Sequence, residues 1–166
     1  AIVCFNLKWQ AGGVRLIFEE ANALKNLGHK VLLYAPEFDK DVYPDLHKNL
    51  EIKVLNPPRE ILWQYESGNI CGRVFERVKR DRLILSVAKD ISDLMDPDFD
   101  MVNVHDYAYN LPKFYKLKNS KAKFIWTMNE PPYMYLPKNN FFHDKLSRLS
   151  NFMKDYTEKK FFRYID

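Results

Sequence analysis

Five short apolar runs alternate with stretches of helical periodicity along the chain, and this alternation limits the possible folds more than any other feature. The runs are Ala1 to Phe5, Lys30 to Tyr34, Glu51 to Leu55, Asp100 to His105 and Lys123 to Thr127. Each has strand length and reads as a strand buried on both faces of a sheet. Between the first two, Val14 to Leu27 places Val14, Ile17, Phe18, Ala21 and Leu24 on one helical face. A longer helix spans Asn69 to Met95, with a buried stripe of Leu83, Ile84, Val87, Ile91 and Leu94. A short helix is expected over Leu111 to Leu117. A last amphipathic helix runs from about His143 to Tyr164, with Leu146, Leu149, Phe152 and Tyr156 facing inward.

Strands that alternate with helices join by right-handed crossovers into a parallel sheet covered on both faces. The expected fold is therefore α/β, a Rossmann-like three-layer domain with a central parallel sheet of order 3-2-1-4-5. Gly28 stops the first helix, Pro36 ends the second strand, and Pro57-Pro58 forbids helix directly after the third. With 166 residues and 46% hydrophobic content, the chain reads as one domain with a substantial core. It opens on a strand without an initiator Met and closes on a helix, which reads as a chain cut at both ends.

A net charge of +4 permits anionic ligands or an anionic membrane surface and demands neither. Zinc-finger spacing, aromatic–basic RNA-binding motifs and basic tails are missing, so nucleic acid is not an expected partner. Cys4 and Cys71 are too few for a disulfide framework and form no CxxC pair. Cys4 reads as a small core residue, and the expected compartment is the reducing cytoplasm. No apolar run reaches the length of a membrane span.

Parallel sheets bind ligands at the carboxyl ends of their strands, so the loops after the first, fourth and fifth strands carry the candidate site. After the first strand, Gly12 and Gly13 let a ligand approach the backbone at a helix start, where free N–H groups favour phosphate or sugar hydroxyls; Arg15 follows. The spacing is neither a dinucleotide fingerprint nor a P-loop, and a lone glycine pair reads equally as a tight turn. His105 and Asp106 end the fourth strand. Adjacent strand residues face opposite sides, so these two are not expected to act as a pair, and one His is weak evidence for a metal. No metal site is expected. After the fifth strand, Asn129 and Glu130 stand before Pro131-Pro132, which holds an amide and a carboxylate over the cleft. Arg73, Arg77 and Arg80 recur on the face of the long helix that later carries Ile84, Val87 and Ile91. They read as a solvated helix end, or as a site for an acceptor phosphate or anionic lipid heads.

Taken in order, these motifs resemble the N-terminal domain of glycosyltransferase family 4 (group 1) enzymes. Gly12 to Val31 resembles the family's opening glycine turn, amphipathic helix and Gly-His-x-Val strand entry. Asp100-Met-Val-Asn-Val-His105-Asp106 resembles its Asp-Val-Val-His-x-His-Asp strand, and Phe124 to Pro132 resembles the next strand and loop. The resemblance spans residues 1–166 and implies one half of a GT-B fold: the N-terminal, acceptor-side domain of a retaining glycosyltransferase. Such an enzyme moves a sugar from a nucleotide-sugar donor to a glycan, lipid or small-molecule acceptor. It implies no cofactor and no metal. The implied partners are the enzyme's own C-terminal nucleotide-sugar domain and, on the cytoplasmic side, a peripheral membrane contact. It also implies that this domain is inactive alone. Asn129 and Glu130 carry the implied catalytic role, and Gly12, Gly13, Arg15, His105 and Asp106 the substrate or phosphate contacts. Two departures stand out. Many members carry His where Asn129 stands, and Asn cannot titrate. Gln10 and Ala11 occupy the stretch where related starch and glycogen synthases place a Lys. The residues also leave open half of a sugar-nucleotide 2-epimerase, or a non-catalytic module that binds nucleotides or anionic membranes.

Overall fold

The computed structural model describes residues 1–61, 70–128, 160–161 and 163–166, with only the backbone of 70, 71, 73 and 74. Five strands form one sheet: β1 (Ile2–Val3), β2 (Leu32–Ala35), β3 (Glu51–Val54), β4 (Met101–His105) and β5 (Lys123–Thr127). Their order is β3-β2-β1-β4-β5, and every pairing is parallel. This is the α/β, Rossmann-like architecture expected from the alternation, in the expected strand order. The helices are α1 (Gly12–Asn26), α2 (Pro44–His47), α3 (Ile70–Leu94) and α4 (Leu111–Tyr115), and a 3₁₀ turn (Asp106–Asn110) joins β4 to α4.

Successive strand residues point opposite ways, and the centre of the sheet is buried on both faces, while Met101 and Ile125 towards the β5 edge are exposed. On one face Val3, Phe5, Leu32, Tyr34, Val102, Val104 and Phe124 meet Ile84, Val87, Ala88 and Ile91 of α3. On the other, Ile2, Cys4, Leu33 and Ala35 meet Val14, Ile17, Phe18 and Ala21 of α1. β4 breaks this rule on the α1 side, where its alternate residues are the buried polar side chains Asn103 and His105.

Two local readings are corrected, and two short elements are added. The glycine pair does not form a turn ahead of the helix. Gly12 and Gly13 are the first two residues of α1 itself, preceded by Ala11 in extended conformation. The first helical residues donate no intrahelical hydrogen bond, so the poor helix propensity of glycine costs little there. Leu94 lies outside the α3 stripe, at 38% exposure, and Met95 is buried at 2%. At 3.6 residues per turn, Met95 and not Leu94 falls in line with Ile84 and Ile91. The short α2 and the 3₁₀ turn were not expected at all. Tyr43 enters α2 from left-handed backbone (φ 51°) and Pro44 supplies a preset helical φ.

Two helix ends are fastened, that of α1 by its own backbone and that of α3 by a distant lysine. Gly28, at φ +89°, closes α1, with its N–H bonded to Lys25 O at 3.0 Å and the His29 N–H to Leu24 O at 3.1 Å. The Lys118 ammonium donates to the carbonyls of Ser92, Asp93 and Met95 at 3.0, 3.0 and 2.7 Å, where the α3 dipole favours a cation. The expected last helix lies outside the described residues except for its end. There Phe161 is buried, and Asp166 returns to β5 through its N–H to Phe124 O at 3.1 Å.

Candidate functional site

Strand order reverses at β1, which has β2 on one side and β4 on the other. In open parallel sheets the crevice at such a reversal, outside the carboxyl ends of the strands, is where ligands bind. The β1–α1 connection and the turn after β4 both leave the sheet at that point, so Gly12, Gly13, His105 and Asp106 share one rim.

Ala11, the residue before α1, makes no side-chain capping bond, and the first turn of the helix carries no acidic residue. The hydrogen-bond ladder of the helix begins only with the Arg15 N–H, which donates to Ala11 O at 3.1 Å. The start of α1 thus combines uncapped N–H groups with the positive end of a four-turn dipole. A Cβ built on Gly12 would meet nothing within 4 Å, and its φ lies outside the left-handed region. Neither the space around Gly12 nor its backbone requires glycine. Arg15 points away from this start. Its guanidinium pairs with Glu19 at 2.8 Å on the exposed side of the helix, and that carboxylate raises the Arg15 pKa further.

The end of β4 carries a chain of polar side chains that the sequence reading did not assemble. His105 is fully buried, and its Nε2 lies 3.3 Å from Glu20 Oε2. The contact is within ion-pair range but does not meet hydrogen-bond geometry, so its pull is electrostatic. The Asn103 amide donates to Glu20 Oε1 at 2.7 Å, and the Thr127 hydroxyl donates to Asn103 Oδ1 at 2.9 Å. The His105 imidazole, followed by the Asn103 amide, holds the Glu20 carboxyl below its ordinary range despite partial burial. Among the described residues His105 Nδ1 has no hydrogen-bond partner. His105 and Asp106 diverge, as expected. Asp106 turns into left-handed backbone at φ 48°, and its carbonyl accepts the Trp126 indole N–H at 2.9 Å. Asp106 also adds to the burial that pushes the Cys4 thiol up to about 12.

Glu20 was legible as one of two adjacent carboxylates beside the apolar stripe of α1, and Asn103 as a polar residue inside an apolar strand. Neither signal names the other as partner.

On the opposite face of the sheet, Arg77 and Arg80 of α3 meet the turn after β4. With Asp81, Ile84, Leu85, Tyr107, Tyr109 and Asn110 they line a pocket of about 30 Å³. The structure therefore brings two of the three candidate arginines to the carboxyl end of β4. Arg73 lies on the same helix, and its side chain is outside the described portion. Asn129 and Glu130 also lie outside the described residues. Among the described residues no three His, Cys, Asp or Glu side chains are grouped as metal ligands would be, and no helix is long and apolar enough to cross a membrane.

Comparison with protein-family models, with curated proteins and with solved structures finds no match to this chain.

Proposed function

We propose that this chain is the acceptor-side domain of a retaining glycosyltransferase of GT-B type, which works against a second domain that grips a nucleotide-sugar. The observation that carries the reading is the position of the uncapped, glycine-led start of α1. It stands at the reversal of strand order, beside the polar end of β4. A helix start of this kind suits a sugar hydroxyl or a phosphate oxygen, because it offers N–H donors with no Cβ in the way. The resemblance of the three rim motifs to glycosyltransferase family 4 supports the same reading. In this proposal Gly12, Gly13 and Asp106 line the acceptor side of the cleft, the buried His105 supports that rim from beneath through Glu20, and Asn129 and Glu130 stand nearest the transferred sugar. The leaving diphosphate is stabilised from the other domain, as differential charge stabilisation requires. The enzyme works at the cytoplasmic face of the membrane or in the cytoplasm.

The test is a donor screen. The polypeptide carrying both domains is incubated with UDP-, GDP- and dTDP-sugars and an acceptor panel, and products are read by mass spectrometry. Transfer of a glycosyl residue supports the reading. A sugar nucleotide isomerised without transfer would replace it with the epimerase. Donors recovered unchanged with every acceptor would overturn it.

A further inference from the structure

Trp9 lies on the loop between β1 and α1, belongs to neither core and is 55% exposed. A single exposed aromatic is ordinary, but this one stands in a charged cluster. The Lys8 Nζ is 5.9 Å from its ring centroid, 2.6 Å from Glu60 Oε1 and 3.6 Å from Glu37 Oε2. One ammonium thus gathers an indole and two carboxylates, and the group holds one negative charge in excess. Among the described residues no second cation meets either carboxylate, and the Trp9 indole N–H meets no acceptor. Glu60 Oε2 and both oxygens of Glu37 likewise accept no hydrogen bond among the described residues. Burial, eased by Lys8 and reinforced by Glu60, holds the Glu37 carboxyl above its ordinary range.

The backbone sets this cluster at the carboxyl ends of three strands. The loops after β1 and β2 meet through the Asp39 N–H and Leu7 O at 3.4 Å, and those after β2 and β3 through the Arg59 N–H and Pro36 O at 3.0 Å. The Arg59 guanidinium lies 2.6 Å from Asp90 and donates to Ser86 at 2.9 Å, which pins the loop of Glu60 to α3. The Trp9 carbonyl accepts the Ala11 N–H at 2.9 Å, and the uncapped α1 begins at the next residue.

A sugar ring has the matching chemistry. Its face of C–H groups packs on an aromatic ring, and the hydroxyls at its edge donate to carboxylates and accept from an ammonium. The 5.9 Å between Nζ and the indole centroid is close to the breadth of one such ring, so its hydroxyls reach the charged groups. A phosphate or an anionic headgroup would instead meet the excess negative charge. We propose that Trp9, Lys8, Glu37 and Glu60 form a subsite for a neutral sugar ring, with Trp9 as the platform and the two carboxylates accepting ring hydroxyls. Naming that ring the end of a glycan acceptor rests on the transferase reading; the binding site does not.

The chain is titrated with the methyl glycosides of glucose, mannose, galactose and N-acetylglucosamine, with no sugar donor present. Binding is followed by NMR at the Trp9 indole N–H, assigned by its loss in Trp9→Phe, and in variants by saturation transfer to the glycoside. Sorbitol, inorganic phosphate and choline are the controls. Sorbitol has hydroxyls without a ring face, and choline is a cation that aromatic and acidic groups also attract. At least one glycoside should move the Trp9 signal to saturation while sorbitol and phosphate leave it in place. Trp9→Ala should weaken that glycoside at least about tenfold, as truncation of a central aromatic contact does. Trp9→Phe should weaken it by less than about threefold, because a phenyl ring keeps the platform. Glu60→Gln should weaken it at least about fivefold through loss of a charged acceptor. Glu60 also holds Lys8, so melting temperatures are taken on the same samples. A lower melting temperature with glycoside binding intact would make the cluster structural and overturn the subsite. So would a Trp9 signal that no glycoside moves, that sorbitol moves equally, or that only choline or phosphate moves. Transfer to neutral glycosides by the two-domain polypeptide, undiminished in Trp9→Ala, would sink this subsite and leave the transferase reading. Glycoside binding at Trp9 with failed transfer would sink only the transferase reading.

Discussion

His105 Nε2 lies 3.3 Å from Glu20 Oε2, across the space between the end of β4 and the middle of α1. The contact joins residues that come from separate halves of the fold. It also ties a fully buried imidazole to a half-buried carboxylate. Its effect on stability depends on pH in a definite direction. The Glu20 carboxyl is held below its ordinary value of 4.5 in the folded chain. A group with a lowered folded pKa stabilises the fold fully above its unfolded pKa, and that contribution is lost as pH falls through the folded value. Glu20→Gln should therefore cost about 1–2 kcal/mol near neutral pH, because the amide can keep the bond from Asn103 but loses the negative charge that faces His105. The gap between variant and parent should close as the pH is taken below the lowered value. Urea melts of both proteins from about pH 7 to about pH 3 measure it. A gap of constant size over that range would show that the charge on Glu20 contributes nothing.

Gly12 offers a test that separates fold from function. An added Cβ there meets nothing within 4 Å, and the backbone is outside the left-handed region. Gly12→Ala should leave the melting temperature unchanged or raise it slightly, since alanine is the better helix former by up to about 1 kcal/mol. Under the proposed function the same methyl group stands where the ligand approaches the helix start. Transfer by the two-domain enzyme should then fall at least about tenfold, a barrier change of roughly 1.4 kcal/mol. Melting temperature and specific activity are to be measured on one preparation. Lower stability with unchanged turnover per folded molecule would make Gly12 a structural residue only.

Cys4 should be chemically silent. It is buried against α1, and burial, offset in part by the Asn6 backbone contact and reinforced by Asp106, pushes its thiol up to about 12. At about pH 8 only on the order of one thiol in ten thousand would be ionised, and the thiolate is the reactive form. In a Cys71→Ser background, iodoacetamide should leave the native chain unlabelled and label it once in denaturant. Native labelling within minutes would mean that the β1 end opens far more readily than its burial allows.

Most of the fold could be read in advance because it depends on short-range periodicity. Runs such as Leu32 to Ala35 and Met101 to His105 are apolar at strand length, and such strands need helices over both faces. Val14, Ile17, Phe18 and Ala21 mark the buried side of α1 with the 3.6-residue repeat alone. Parallel pairing and right-handed crossovers then leave few strand orders, and 3-2-1-4-5 was among them. Element boundaries were less legible. The helix α1 starts at Gly12, two residues before the first apolar position of its stripe, and the replacement of Leu94 by Met95 turns on one residue of helical phase, which a degenerate apolar pattern does not resolve.

The side-chain partnerships were decided by the tertiary structure. Asn103 and Glu20 are 83 residues apart in the chain, and they meet because α1 crosses the sheet where β4 lies beside β1. Arg77 and Asn110 line one pocket because the turn after β4 folds toward α3. No periodicity encodes either meeting. A repeat of two or 3.6 residues says which face of an element is buried, and hydrophobic burial is indifferent to which apolar groups meet. A hydrogen bond or ion pair is directional and short, so it forms only after packing has set the distance between two elements. The sequence by itself therefore determined the layers of this protein and narrowed its strand order to a few, and packing alone decided which polar groups came within reach at its candidate site.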